Sequence, residues 1–517
     1  MRLLVLSLSL AFSLLSVAHR TLAQTADNYD AGVLNDYFAF QLELIKVTPG
    51  FTPPVASRAL GYSGLAAYEA VVHGTPGRIS LAGRVPQLDV LPLPEVGQDY
   101  YWPEVVNAAL FQMTAGLYSN MSNENLTALN ALRDETTAVH AAEVDAAVLN
   151  ASGAYGEELA LAILGYANGD GQESCQFSNF PVEYVPPVGP GLWSPLSGQA
   201  ALQPYWGDKR CFVVEFVGND LLAPEPPAFS SEVGSELYAE AMAVYDASLN
   251  LTQEQTNIAQ YWADGGGTVT PPGHSVSMLR QVIQQENSNL AFAAEAYARL
   301  GMAVADAFVQ CWKTKYVYNL ERPITYINSY IDADWTTLIG TPPFPEYTSG
   351  HSSQSGAFGE VMTALFGENY EFTDNTHGDQ FGGPRSFTSF TQCAEETAIS
   401  RLYGGIHYPI GNTMGSMSGI TIGEMVNELF DEAVGVDSPN ALAGLSIYPN
   451  PTQGQLVLNG NFSSDDQLLV FALTGQQVAV RQAQRQLDLS DLPAGVYMVT
   501  VANRGRQTHA TTRLIIQ

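Results

Sequence analysis

Apolar residues recur at three- and four-residue spacing through residues 126–166, 233–249, 276–308, 353–365 and 414–433, the period of helices that bury one face. The run Thr252-Gln253-Glu254-Gln255 opens a further helix, because Thr252 can cap it while Gln255 answers from the third position. Pro- and Gly-rich stretches at 181–204 and 265–273 lie between them, and irregular chain of that length in a compact domain usually forms a functional wall or lid. Beyond residue 437 the period falls to two. Short runs at 455–458, 468–472, 477–480, 495–501 and 511–516, separated by turn residues, predict a small β-sandwich. The chain is therefore expected to be mainly α, a helical bundle over residues 28–433, followed by a linker over 434–445 and an all-β sandwich over 446–517.

The first residues follow neither pattern. Arg2, an apolar run over 3–17 and then Thr21-Leu22-Ala23 make a signal peptide over residues 1–23, too short and too poorly flanked for a membrane anchor. Later segments offer no long uninterrupted apolar span, so the mature protein is expected to be secreted or attached to the cell surface, with no integral membrane span. In an oxidising compartment Cys175, Cys211, Cys311 and Cys393 allow three pairings; Cys175 with Cys211 and Cys311 with Cys393 is the expected one, buried free thiols the alternative.

Charge narrows the partners. With 52 acidic residues against 21 basic and a net charge of -31, the surface gains nothing from a phosphate backbone, which excludes nucleic acid as a partner. Cations grouped in such a chain mark a local exception built for an anion. Two of the four lysines lie in the segment 312–323, where Lys315 and Arg322 are seven residues apart and Pro323 is expected to end the helix, presenting Arg322 at its exit. Lys315 offers a mobile point charge and Arg322 a planar fork, a combination suited to different oxygens of one tetrahedral anion. Ser349-Gly350-His351 precedes the next helical pattern, so the Gly350 amide, the Ser349 hydroxyl and the helix start can add donors. Ser400 and Arg401 close another helical run, and Gly404-Gly405 lets the backbone turn and return His407 to the same centre. A zinc site on His351 and His407 is disfavoured by the three neighbouring cations and the lack of a suitably spaced acid or cysteine.

The spacing Lys315-x6-Arg322-Pro323, Ser349-Gly350-His351 and Ser400-Arg401-x5-His407 resembles the three ordered motifs of the vanadium haloperoxidase and type 2 phosphatidic acid phosphatase superfamily. The resemblance implies a helical bundle in which Lys315, Arg322, Ser349, Gly350 and Arg401 hold the oxygens of vanadate or phosphate. It also makes His351 the acid-base residue and His407 either the nitrogen ligand of vanadium or the nucleophile of a phosphatase. Two positions depart from the pattern: Thr348 stands where proline often precedes Ser-Gly-His, and Gly411 where an aspartate often follows the second histidine. The group that orients His407 is thereby left open between a backbone carbonyl and a distant carboxylate such as Asp264.

Trp312 and the run Pro342-Pro343-Phe344-Pro345-Glu346-Tyr347 are closer to the haloperoxidase branch, with Trp312 and Phe344 placed at a halide pocket and His274 read as a structural histidine at a turn. That branch uses hydrogen peroxide and halide, with a small organic acceptor as a further partner, and vanadate as cofactor in a site phosphate can also occupy. A secreted acid phosphatase working through a phosphohistidine and a noncatalytic oxyanion-binding protein remain as alternatives. The tail, with Tyr448-Pro449-Asn450-Pro451, Leu492-Pro493-Ala494-Gly495-Val496-Tyr497 and Arg513, resembles the C-terminal sorting domain of the type IX secretion machinery of Bacteroidetes, which implies export via the periplasm.

Overall fold

The computed structural model describes residues 24–214, 222–430, 446–448, 452–459, 466–472, 477–493, 495–502 and 508–516. The expected signal peptide, the linker and residues 431–433 and 449–451 lie outside them. The chain divides into two compact units, Met1–Glu432 and Ala433–Gln517.

The first unit is a helical bundle built round the 29-residue helix Leu290–Tyr318, buried on nearly every side, where alanines and larger apolar residues surround a few buried polar groups such as Glu295, Arg299, Asp306 and Lys315. Helix Pro53–Val72 packs along it through small residues; a Cβ on Gly64 would stand 2.5 Å from the Tyr297 carbonyl. Helices Gly350–Phe366 and Pro409–Phe430 approach as closely, since a Cβ on Gly419 would fall 1.9 Å from the Ser353 carbonyl. That contact fixes two of the three motif segments against each other.

Two apolar runs divide where the sequence suggested single helices. Residues 126–166 become Asn123–His140 and Ala146–Asn168, and 276–308 becomes Thr270–Glu286 and Leu290–Tyr318, with Asn287 at the first end in the left-handed conformation and Asn289 capping the second start. The capping box at Thr252 forms as expected. No helix among the described residues is long and apolar enough to cross a membrane. The four cysteines are free and buried: Cys393 meets the Met278 sulfur at 3.7 Å, and Cys311 the Thr348 carbonyl at 3.4 Å. The expected disulfide pairing is therefore not made, because each thiol packs as a small apolar group inside the bundle.

In the second unit, antiparallel strands form a sheet of three, from Ser446–Tyr448, Gln455–Asn459 and Gln486–Asp488, and a sheet of four, from Gln467–Ala472, Gln477–Gln482, Gly495–Ala502 and Thr508–Ile516. Leu456, Leu458 and Leu487 from the first and Leu468, Val470, Val499 and Leu514 from the second alternate inward to one apolar core. Gln486–Asp488 is too short and polar to read as a strand from its sequence.

Candidate active site

Helix ends position the motif residues. Leu290–Tyr318 carries Trp312 and Lys315 on its last turns and stops at Asn319, whose φ of 49° is left-handed. Arg322 is the N-cap of the next helix, Pro323–Tyr330, so Pro323 opens a helix instead of ending one, a first-turn position that suits its fixed φ and missing N–H. Ser349 caps Gly350–Phe366 by accepting from the Ser352 amide, which leaves the Gly350 and His351 amides in a first turn with no preceding intrahelical carbonyl. Arg401 sits in the last turn of Phe390–Tyr403; Gly405, at φ 78°, reverses the chain and delivers His407 just before Pro409–Phe430.

These ends converge on a cavity of about 510 Å³, lined by Gly350, His351, Arg401 and His407 together with Phe51, Phe308, Trp312 and Phe344. Arg322 adjoins it, its Nη1 donating to His407 Nε2 at 3.1 Å and its Nε to the Phe344 carbonyl at 2.9 Å. Since arginine only donates, His407 Nε2 must be the unprotonated, lone-pair nitrogen. The other ring nitrogen, Nδ1, donates to Glu346 Oε1 at 2.7 Å, and the Tyr408 amide donates to the same oxygen at 3.0 Å. The partner of His407 Nδ1 is therefore Glu346, neither a backbone carbonyl nor Asp264. Along the chain Glu346 stands only in a proline-rich run, with no neighbour that marks its role.

Burial, with Arg322, Lys315 and Arg401 nearby, holds the His407 imidazole well below its usual pKa and so neutral. His351 is likewise held down, by burial and then by Arg401; its ring bonds the Trp262 carbonyl, and its Nε2 is buried without a partner. Two donors beside the cavity are also buried without a partner, Arg322 Nη2 and Arg401 Nε. Burial lowers the Arg322 guanidinium to about 10 and that of Arg401 to about 9. Buried donors on charged groups are costly to leave unsatisfied, and a bound oxyanion satisfies them.

Lys315 is placed differently from the expectation. Its ammonium, buried and lowered by desolvation to about 7, donates to the carbonyls of Pro345, at 2.9 Å, Glu346, at 2.8 Å, and Thr348. All three of its donors are occupied, so it offers the cavity charge and a clamp on the 345–348 backbone. Phe344 lies between the cations and Trp312, with its ring centroid 4.9 Å from that of Trp312, 5.1 Å from Lys315 Nζ and 4.9 Å from Arg322 Cζ. Lys313 points away and pairs with Asp208 at 2.6 Å.

A second polar group borders the cavity through Asp264. His274, in the first turns of Thr270–Glu286, lies between Asp264, at 2.9 Å, and Asp374, at 2.7 Å, and His377 bonds the other Asp264 oxygen at 3.0 Å. Ligand-capable atoms of Asp264, His274 and His377 fall within 4.8 Å of one another. They are spent on each other, and two carboxylates repel an oxyanion, whereas Arg322 and Arg401 beside His407 could hold one.

Comparison with known proteins gives the family. The VCPO second helical-bundle domain matches residues 295–333 and 329–435, the span that holds all the motifs, and the secretion system C-terminal sorting domain matches 446–517. The crystal structure of a bacterial vanadium-dependent iodoperoxidase is similar at 33% identity and a TM-score of 0.70, covering 78% of this chain and 97% of that one. This chain belongs to the vanadium-dependent haloperoxidases. The vanadium chloroperoxidase of Curvularia inaequalis is 26% identical over an alignment of 399 residues that covers 63% of this chain and 64% of the fungal one. A bacterial vanadium-dependent chloroperoxidase in its holo form shares the fold at 16% identity, with a TM-score of 0.57 and coverage of 75% and 93%. This haloperoxidase carries at its C-terminus a type IX secretion sorting domain, which marks it as secreted or attached to the cell surface.

Proposed function

We propose that this chain oxidises halide with hydrogen peroxide, using vanadate held among His407, Arg322, Arg401, Ser349 and Gly350. The observation that carries this is the set of buried, partnerless donors on Arg322 and Arg401 beside a neutral His407 whose lone pair faces Arg322. When bound, vanadate supplies a Lewis-acidic centre that activates peroxide toward halide without a change of oxidation state.

The protein's own groups bind, polarise and exclude water. Arg322 and Arg401, with the charge of Lys315 behind them, stabilise negative charge that develops on the anion's oxygens, where a buried setting strengthens each interaction. His351, neutral and with Nε2 free, is placed to take a proton from incoming peroxide and return it to the product. Trp312 and Phe344 form an apolar wall that strips water from an approaching halide. Phosphate has the same shape and charge and competes for the cradle. The sorting domain sends the enzyme out through the type IX machinery after passage of the periplasm.

The test is to strip the full-length chain of anions, add orthovanadate or phosphate, and assay iodide, bromide and chloride oxidation alongside phosphate-ester hydrolysis. Vanadate-dependent peroxide turnover is expected. Hydrolysis of esters without vanadate and without halide oxidation would assign the same cradle to a phosphatase.

A further inference from the structure

We propose that Glu346 is the positioning residue of His407, and that position 411 is glycine because the Glu346 carboxylate occupies the space where a side chain would lie. This deepens the reading of His407 as the anion's nitrogen ligand.

Three observations bear on one carboxylate and the ring it holds. Glu346 Oε1 accepts from His407 Nδ1 at 2.7 Å and from the Tyr408 amide at 3.0 Å, so it fixes both the ring and the backbone that carries it. Arg322 Nη1 approaches the opposite ring nitrogen at 3.1 Å, which requires the lone pair to sit at Nε2. A Cβ on Gly411 would stand 2.4 Å from Glu346 Oε1 and 2.9 Å from Oε2, a collision no side chain survives.

The Glu346 carboxylate is held without freedom to choose. Glu346 is buried, and its backbone carbonyl is clamped by Lys315 at 2.8 Å, so the strand of chain that carries the carboxylate is tied to the cation beside the cavity. The 2.4 Å span from the absent Cβ to Oε1 is the distance from an aspartate's Cβ to its own carboxylate oxygens. A carboxylate on residue 411 can therefore deliver an oxygen to the point that Glu346 Oε1 now fills, but only when Glu346 is gone. The two positions are alternative anchors for one oxygen.

A ring held this way presents Nε2 unprotonated to the cradle without first losing a proton or turning. Partners that orient a ligating histidine typically change affinity about 10- to 100-fold when removed. The expected pattern is therefore a loss on Glu346→Ala, a smaller loss on Glu346→Gln, whose amide oxygen can still accept, and recovery when Gly411→Asp is added to Glu346→Ala. In the otherwise unaltered chain, Gly411→Asp should damage the site by driving two carboxylates together.

Two readouts on the full-length chain test this. The 15N spectrum of histidine-labelled protein, without vanadate, should show His407 with Nδ1 protonated and Nε2 bare. Glu346→Ala should shift that signature toward mixed tautomers, and the double variant should restore it. Calorimetric titration with orthovanadate should give about a 10- to 100-fold weaker Kd for Glu346→Ala and recovery to within a few-fold in the double variant. If Glu346→Ala does not fold by circular dichroism, Glu346→Gln alone carries the comparison. An unchanged tautomer and Kd in a folded Glu346 variant would overturn the proposal. Wild-type protein that binds no vanadate, yet whose His407 tautomer responds to Glu346, would instead overturn the vanadate reading and leave the positioning role standing.

Discussion

Replacing His274 by leucine isolates the charge cluster bordering the cavity. Burial alone would lower the imidazole's pKa, but Asp264 at 2.9 Å and Asp374 at 2.7 Å raise it from 6.5 to about 10. At about 1.4 kcal/mol for each pH unit, the protonated ring contributes at most about 5 kcal/mol. Asp374, which burial would raise, is held at about 2 by the same ring, so its shift describes the same interaction and is not added. Leaving buried carboxylates without their cation costs about 3–5 kcal/mol, which agrees. Because the folded pKa is raised, this stability is fully present below pH 6.5 and is lost as pH rises through about 10. With an unfolding entropy of about 2 cal/mol/K per residue over roughly 400 residues, a loss of ~4 kcal/mol lowers Tm by about 5 °C. Scanning calorimetry of both proteins from pH 6 to 10 should show the wild type losing Tm toward pH 10 and the variant lacking that part of the slope. Equal slopes, or a difference near neutral pH below about 1 °C, would show that His274 is not held charged between the two carboxylates.

Phe344→His removes an aromatic face from two cations, a loss of about 0.5–2 kcal/mol, and should change the ratio of bromide to iodide turnover and its pH profile while vanadate Kd moves less than about 10-fold. His407→Ala should abolish tight vanadate binding in calorimetry, whereas His351→Ala should cut peroxide turnover about 10²- to 10⁴-fold with little change in Kd, since anion binding and proton transfer fall to different rings. A chain ending near residue 437 should retain specific activity, because every proposed site residue precedes the β-sandwich; loss of activity in a well-folded truncation would tie the sandwich to catalysis.

Motif residues were legible because each lies at a helix end that its own neighbours announce. Ser349 is a helix cap, Gly405 a turn residue and Arg401 a last-turn cation, and all three do locally what such residues ordinarily do. What sequence left open was set by contacts between distant segments. Glu346 reaches a histidine 61 residues away, and the only sign of it along the chain was the glycine at 411, an absence that acquires meaning once a carboxylate is seen filling the space. Lys315 is legible as a cation near the other motif residues, but that its donors are taken by three carbonyls depends on how 345–348 folds back over the helix. The disulfide expectation failed for a similar reason, since four cysteines in an exported chain say nothing of which apolar layers each will enter.

The most direct test of the proposed function is a vanadate titration of anion-free, full-length protein, read simultaneously by calorimetry and by peroxide-dependent iodide or bromide oxidation. Activity should rise in step with occupancy, saturate near one vanadate per chain, and fall when phosphate is added as a competitor. Halide oxidation that is already complete before vanadate is added, or saturation of the site without any oxidation, would contradict the assignment of this cradle to vanadium-dependent peroxide chemistry.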